Sequence, residues 1–266
     1  MQISSAQNPK IKQLLHLRDR KERDESGLFL IEGYREISRA VKGGVHFVSV
    51  FICPQLFLGE NEKSLLAQIP LKPYELPPHL FEKISYRDRP DGLVAIAHQM
   101  KRTLKDIHFQ NKIPFLVIAE AIEKPGNLGT ILRSADAAGA DGVIVCDRCT
   151  DIYNPNVVRA SVGTLFTLPV VEATSAETFT WLQKHSVQVV AATPAASLEF
   201  TDADLSGPLA IAVGTEQIGL SEIWMKAADI QIRIPMNGVA DSLNVATATT
   251  LILYEALRQR KHRFPG

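Results

Sequence analysis

The sequence is short of cysteine, of long apolar runs and of any excess charge, and each shortage excludes something. Three cysteines (Cys53, Cys146, Cys149) among 266 residues are too few for a disulfide scaffold. No apolar run approaches the roughly 18 residues of a membrane span, so no membrane partner is expected. Met1-Gln2-Ile3-Ser4-Ser5 lacks the charged-then-apolar pattern of a secretory signal, and a cytoplasmic location is the expectation. Lys plus Arg total 29 and Asp plus Glu total 29, so net charge does not announce a nucleic-acid partner. The seven histidines form no ligand spacing, and Cys146-Asp147-Arg148-Cys149 has neither a second pair nor a nearby His to complete a zinc site; no metal is expected. Neither G-x-G-x-x-G nor G-x-x-x-x-G-K-[ST] occurs, which disfavours an ordinary dinucleotide site or phosphate loop.

What is present reads as a globular chain, 45% hydrophobic and 22% charged, long enough for one large or two ordinary domains. Charge is unevenly spread: between Lys10 and Lys42 nine Lys/Arg face six acids, and 258–263 is basic. Such runs suit phosphate contact and solvated helix faces alike. Residues 1–100 alternate helix and strand: helix 9–23, strand 27–33, helix 34–42, strand 45–52, helix 61–68, a short strand 71–76, a helix to 84 and strand 93–97. A polar linker is expected at 101–112. From 113 to 266 strands at 115–119, 142–146, 168–171, 187–192, 209–213 and 230–234 alternate with helices, which predicts an α/β fold with a mostly parallel sheet.

Three stretches carry polar groups at strand ends. After the first strand of this second domain comes Glu123-Lys124-Pro125-Gly126-Asn127-Leu128-Gly129, putting Asn127 at a helix start and Arg133 about two turns in, where it reads equally as a surface arginine. Strand 209–213 runs into Gly214-Thr215-Glu216-Gln217-Ile218-Gly219, suited to close backbone approach and equally to an ordinary turn. Strand 230–234 runs through Pro235 and Gly238 into a helix expected to begin at Asp241 or Ser242, either of which could be its N-cap. The run Ala246-Thr247-Ala248-Thr249-Thr250 is small on every face and lets other backbone approach.

In this order these stretches resemble the three motifs of the SpoU (TrmH-type) branch of the SPOUT RNA methyltransferases. The first domain resembles that family's substrate-binding domain, through Asn8-Pro9-Lys10-Ile11-Lys12 and Gly27-Leu28-Phe29-Leu30-Ile31-Glu32-Gly33. The resemblance implies a small RNA-binding α/β domain (1–100) and a methyltransferase domain (113–266) with a C-terminal trefoil knot. It implies S-adenosylmethionine bound near Thr193, Gly214, Ile234 and Leu243, and a homodimer. The activity implied is 2′-O-methylation of a ribose in RNA, ribosomal before transfer RNA; the alternative is an RNA-binding protein whose methyltransferase fold is silent. By similarity Arg133 acts on the 2′-hydroxyl, with Asn127, Glu216, Ser242 and Asn244 arranging it. An arginine, with a pKa above about 12, suits placing better than proton abstraction. Asn156, Arg159, Ser161 and Gly163 also fit a family-like segment, in which Arg159 could touch RNA or be structural.

Overall fold

The computed structural model describes residues 1–109, 113–147 and 150–263. Arg148 and Cys149, the second half of the C-x-x-C, and 110–112 of the expected linker lie outside the described residues. The chain folds into two compact units: Met1–Met100 with Asp151–Thr167, and Lys101–Thr150 with Leu168–Gly266. The boundary therefore differs from the contiguous 1–100 and 113–266 expected.

In the first unit helices α1 (Pro9–His16), α2 (Arg20–Ser26), α3 (Tyr34–Lys42), α4 (Glu62–Leu66) and α5 (Pro78–Ile84) alternate with strands β1 (Leu28–Glu32), β2 (Phe47–Ile52), β3 (Tyr74–Glu75) and β4 (Leu93–His98). The strands form one sheet in the order β1-β4-β2-β3. The expected helix over 9–23 is two helices. Asp19 restarts the chain as an N-cap, its carboxylate accepting from Lys21 N at 2.9 Å. The core gathers Ile11, Leu14, Phe51, Leu80, Phe81 and Ile96. It also contains a charge that apolar periodicity cannot find: Arg23, 1% exposed, pairs with Asp151 at 2.8 Å and donates to the Leu17 and Arg18 carbonyls.

In the second unit β5 (Phe115–Glu120) leads to α6 (Pro125–Ala138) and β6 (Gly142–Cys146). The chain then contributes α7 (Pro155–Ala160) to the first unit before resuming with β7 (Val170–Ala173), α8 (Ser175–Lys184), β8 (Gln188–Ala192), β9 (Leu198–Glu199), β10 (Leu209–Val213), α9 (Glu222–Ala227), β11 (Ile230–Arg233) and α10 (Val245–Arg263). Asn154 caps α7, accepting from Asn156 N. The sheet runs β7-β6-β5-β10-β8-β11-β9 and every recorded pair is parallel, so all the strands' carboxyl ends share one edge. Residues 101–109 are not a loose linker. Leu104–Asp106 forms a 3-10 turn with a Thr103/Asp106 capping box, and Ile107 is buried in this unit's core. No helix among the described residues is long and apolar enough to cross a membrane.

Helix α10 packs against α6 and β10. Its small residues allow that approach, since Ala246 and Thr249 are buried and Thr250 Oγ1 lies 2.7 Å from Ser134 Oγ.

Candidate active site at the carboxyl edge of the parallel sheet

Four chain segments leaving the central strands meet at one edge. After β10, Thr215 and Gly219 exchange backbone hydrogen bonds of 3.1 and 2.9 Å, closing a tight turn that presents Glu216. Gly214 has to be glycine here, because a Cβ would run into the Gly219 carbonyl. Buried Glu120, at the end of β5, accepts from Ser221 N at 2.8 Å and ties the far side of this loop to the sheet. Helix α9 begins only at Glu222, so Gly214–Gly219 is a closed presenting turn and not a plain strand-to-helix connection.

The helix expected from Asp241 or Ser242 begins at Val245, and its N-cap is Asn244. Asn244 Oδ1 accepts from Ala246 N (3.0 Å) and Thr247 N (3.3 Å). Asn is as good a cap as Asp or Ser, and the two residues named from sequence lie in the loop before the helix. With its oxygen committed to the helix, the amide nitrogen must face the other way. It donates to Glu216 Oε1 at 2.7 Å and Asn127 Oδ1 at 3.1 Å. Asn127, in the first turn of α6, donates to the same Glu216 oxygen at 2.9 Å. Lys124 Nζ takes the other carboxylate oxygen at 2.8 Å. Lys124, with Asn127 and the Val245 backbone N–H adding to it, holds the Glu216 carboxyl below the usual carboxylate range against a smaller opposing effect of burial. The same contact raises Lys124 above the ordinary lysine value.

Beside this cluster lies a cleft of about 380 Å³. Thr193, Gly214, Ile234 and Leu243 all line it, together with Ser242 and Glu216. A second, smaller cleft of about 190 Å³ is walled by Lys124, Asn127, Glu216 and Val245, so Glu216 stands between the two. Thr193 is fixed by its N–H to the Ile232 carbonyl at 2.9 Å. Eight of the nine sequence-predicted residues are therefore brought together. The ninth, Arg133, is not: it lies exposed on α6, lines neither cleft, and forms no hydrogen bond or ion pair among the described residues. Buried Leu128, Ile131, Leu132 and Ala135 hold the opposite face of that helix against the core.

A scan of family models matches residues 114–254 to the SpoU rRNA Methylase family and residues 8–95 to an MRM3-like substrate binding domain. The chain belongs to the SpoU rRNA methylase family. Similar proteins include a 23S rRNA (uridine(2479)-2′-O)-methyltransferase of Streptomyces viridochromogenes, 34% identical over 92% of this chain and 87% of that one. A crystal structure of an RNA 2′-O ribose methyltransferase is 43% identical, with a TM-score of 0.86 over 98% of this chain and 99% of the other. An AdoMet-bound rRNA methyltransferase from Sinorhizobium meliloti is 34% identical, with a TM-score of 0.87 over 97% of each chain.

Two residues of this SpoU site escaped sequence reasoning as participants. Lys124 sits at the cap position of α6 without a side-chain cap bond, just before Pro125; a cation there, against the helix dipole, was the available signal. Glu120 closes an otherwise apolar strand, and a buried carboxylate needs a donor. Cys146 is buried against Thr178, and burial pushes its thiol up to about 12. No group of three or more potential metal ligands occurs among the described residues.

Proposed function

We propose that this protein transfers the methyl group of S-adenosylmethionine to a ribose 2′-hydroxyl of ribosomal RNA. The observation that carries the proposal is the convergence of Asn127, Glu216 and Asn244 beside the cleft lined by Thr193, Gly214, Ile234 and Leu243. Family membership and the 2′-O-methyltransferases among its relatives support the same reaction.

The residues present fit the cofactor. The cleft falls within the roughly 300–1,000 Å³ usual for small-molecule sites. Its lining is mainly small and apolar residues, and at Gly214 no side chain can intrude. Thr193, Gly214, Ile234 and Leu243 would hold it, in the knot expected of the fold. When bound, S-adenosylmethionine supplies an electrophilic methyl group on a sulfonium.

The chain's own part is placement. Glu216 has both oxygens occupied by Lys124, Asn127 and Asn244, which suits an anchor and not a base. Its work is to lock the two amides and the start of α10 into one frame. Ser242 is exposed, with no hydrogen-bond partner among the described residues, and is free to accept from the attacking hydroxyl. Arg133 lines neither of these two clefts, so we assign it to the site of a second copy in a homodimer, contacting ribose or phosphate. Leu251 (42% exposed) and Tyr254 (49%) on α10 supply an apolar face for that second copy.

Methyl transfer from labelled S-adenosylmethionine to in vitro-transcribed ribosomal RNA, with ribose methylation mapped, tests the reading. Cofactor binding without transfer to any RNA would favour the silent-fold alternative. Mixing Arg133→Ala and Asn244→Ala chains tests the shared site: random pairing restores about a quarter of wild-type activity if Arg133 acts across the dimer, and nothing if it acts within its own chain.

A further inference from the structure

A cleft of about 770 Å³ within the first unit is unused by this chemistry. Its base is a buried ionic frame. Arg87 pairs with Glu36 at 2.7 Å and with Asp91 at 3.6 Å, and Asp91 accepts from Tyr34 N at 2.8 Å. Buried Glu62 accepts from the Gly59 N–H at 2.9 Å with one oxygen, while its other oxygen is buried without a hydrogen-bond partner among the described residues.

The rim differs. Arg35, Arg89 and Arg159 are exposed lining residues, and none forms an ion pair or side-chain hydrogen bond among the described residues. One exposed carboxylate, Asp88, stands among them, so the rim carries an excess of positive charge on a chain of zero net charge. Leu58, 82% exposed, and half-buried Tyr34 add apolar surface to the same walls. Three undirected guanidinium groups around a wide cleft with an apolar wall suit a phosphodiester chain with one unstacked base turned inward.

Arg159 makes the arrangement specific. It lies outside the 8–95 match to a substrate-binding domain and enters this unit only with the segment Asp151–Thr167. That segment is seated by the buried Arg23–Asp151 pair and by Gly163 (φ +80°), where a Cβ would lie 2.9 Å from Glu36 Cα. The geometry points to this cleft as a binding site for an unpaired stretch of the substrate RNA, its phosphates held by Arg35, Arg89 and Arg159. The inference rests on ribosomal RNA being the substrate.

The test is filter binding of in vitro-transcribed large-subunit ribosomal RNA to the full chain across a salt series. It compares wild type with the triple variant Arg35→Gln/Arg89→Gln/Arg159→Gln and with a triple Lys variant. The Gln variant should bind about 10- to 100-fold more weakly at low salt and lose about 2–3 from the slope of log K against log salt, while the Lys variant keeps most of that slope. Affinity for S-adenosylmethionine, and turnover at saturating RNA, should stay unchanged. Unchanged RNA affinity and slope in the Gln variant would overturn the inference. So would loss of binding to a free mononucleotide with RNA binding intact. If wild type binds this RNA but transfers no methyl to it, the proposed function fails, while the binding comparison still decides the cleft.

Discussion

The polar cluster of the second unit and the wide cleft of the first are built on opposite plans. In the second unit the groups of the Glu216 cluster are tied to one another: Asn244 to the helix it caps, both amides to Glu216, and Glu216 to Lys124. In the first unit Glu36 and Asp91 at the base are buried and paired with Arg87, while Arg35, Arg89 and Arg159 at the rim are left without partners among the described residues. A pre-tied cluster loses little order when it meets a reacting centre and suits chemistry. Unpaired arginines pay their ordering cost on contact and suit capture of a flexible polyanion. On the proposed reading, placement and capture are carried by separate groups, and substitutions in one should leave the other intact.

Asp151→Ala should have the largest effect. It leaves Arg23 charged and uncompensated in the core of the first unit, which costs about 3–5 kcal/mol. Urea unfolding should show that loss, with RNA affinity falling and S-adenosylmethionine affinity retained; equal losses of both would break the separation. Asn244→Ser comes next. Serine keeps the capping oxygen and loses both amide donations, so turnover should fall about 100-fold with little change in melting temperature. Removing Lys124 should do less. That ion pair is well exposed, so Lys124→Ala should lower turnover only several-fold, and added salt should reproduce part of the loss in wild type.

The smallest effect concerns pH. Burial raises the Glu32 carboxyl above the ordinary 4.5, with bonds from Ser85 and Tyr86 only partly opposing it. The folded chain then holds a proton that the unfolded chain has released, so stability falls as pH rises from about 4.5 through the raised value. Glu32→Gln should flatten that slope in denaturant titrations. A steeper slope in the variant would contradict the sign.

Much of the second unit was legible from sequence because parallel strands buried on both faces leave continuous apolar runs, and polar turns at their ends name the site. The strands at 142–146 and 209–213 match β6 and β10. Asn127, Glu216 and Asn244 do meet. What periodicity could not reach was long-range pairing. Arg23 looks like one more charged helix residue until Asp151, 128 positions away, neutralises it, and that pair carries Asp151–Thr167 into the first unit. The start of α10 was misjudged because Asp241, Ser242 and Asn244 are comparable caps; which one serves depends on the Glu216 turn that receives the amide. Arg133 was named by motif similarity, which carries no information about which chain's site it serves.

The central claim is that the amides of Asn127 and Asn244, framed by Glu216, align a ribose hydroxyl for methylation. Single-turnover transfer of labelled methyl to in vitro-transcribed large-subunit ribosomal RNA, comparing wild type with Asn244→Ser, tests it most directly. The account predicts a 2′-O-methyl product from wild type and a rate about 100-fold lower in the folded, cofactor-binding variant. Equal rates in the two proteins, or a methyl group found on a base, would contradict it.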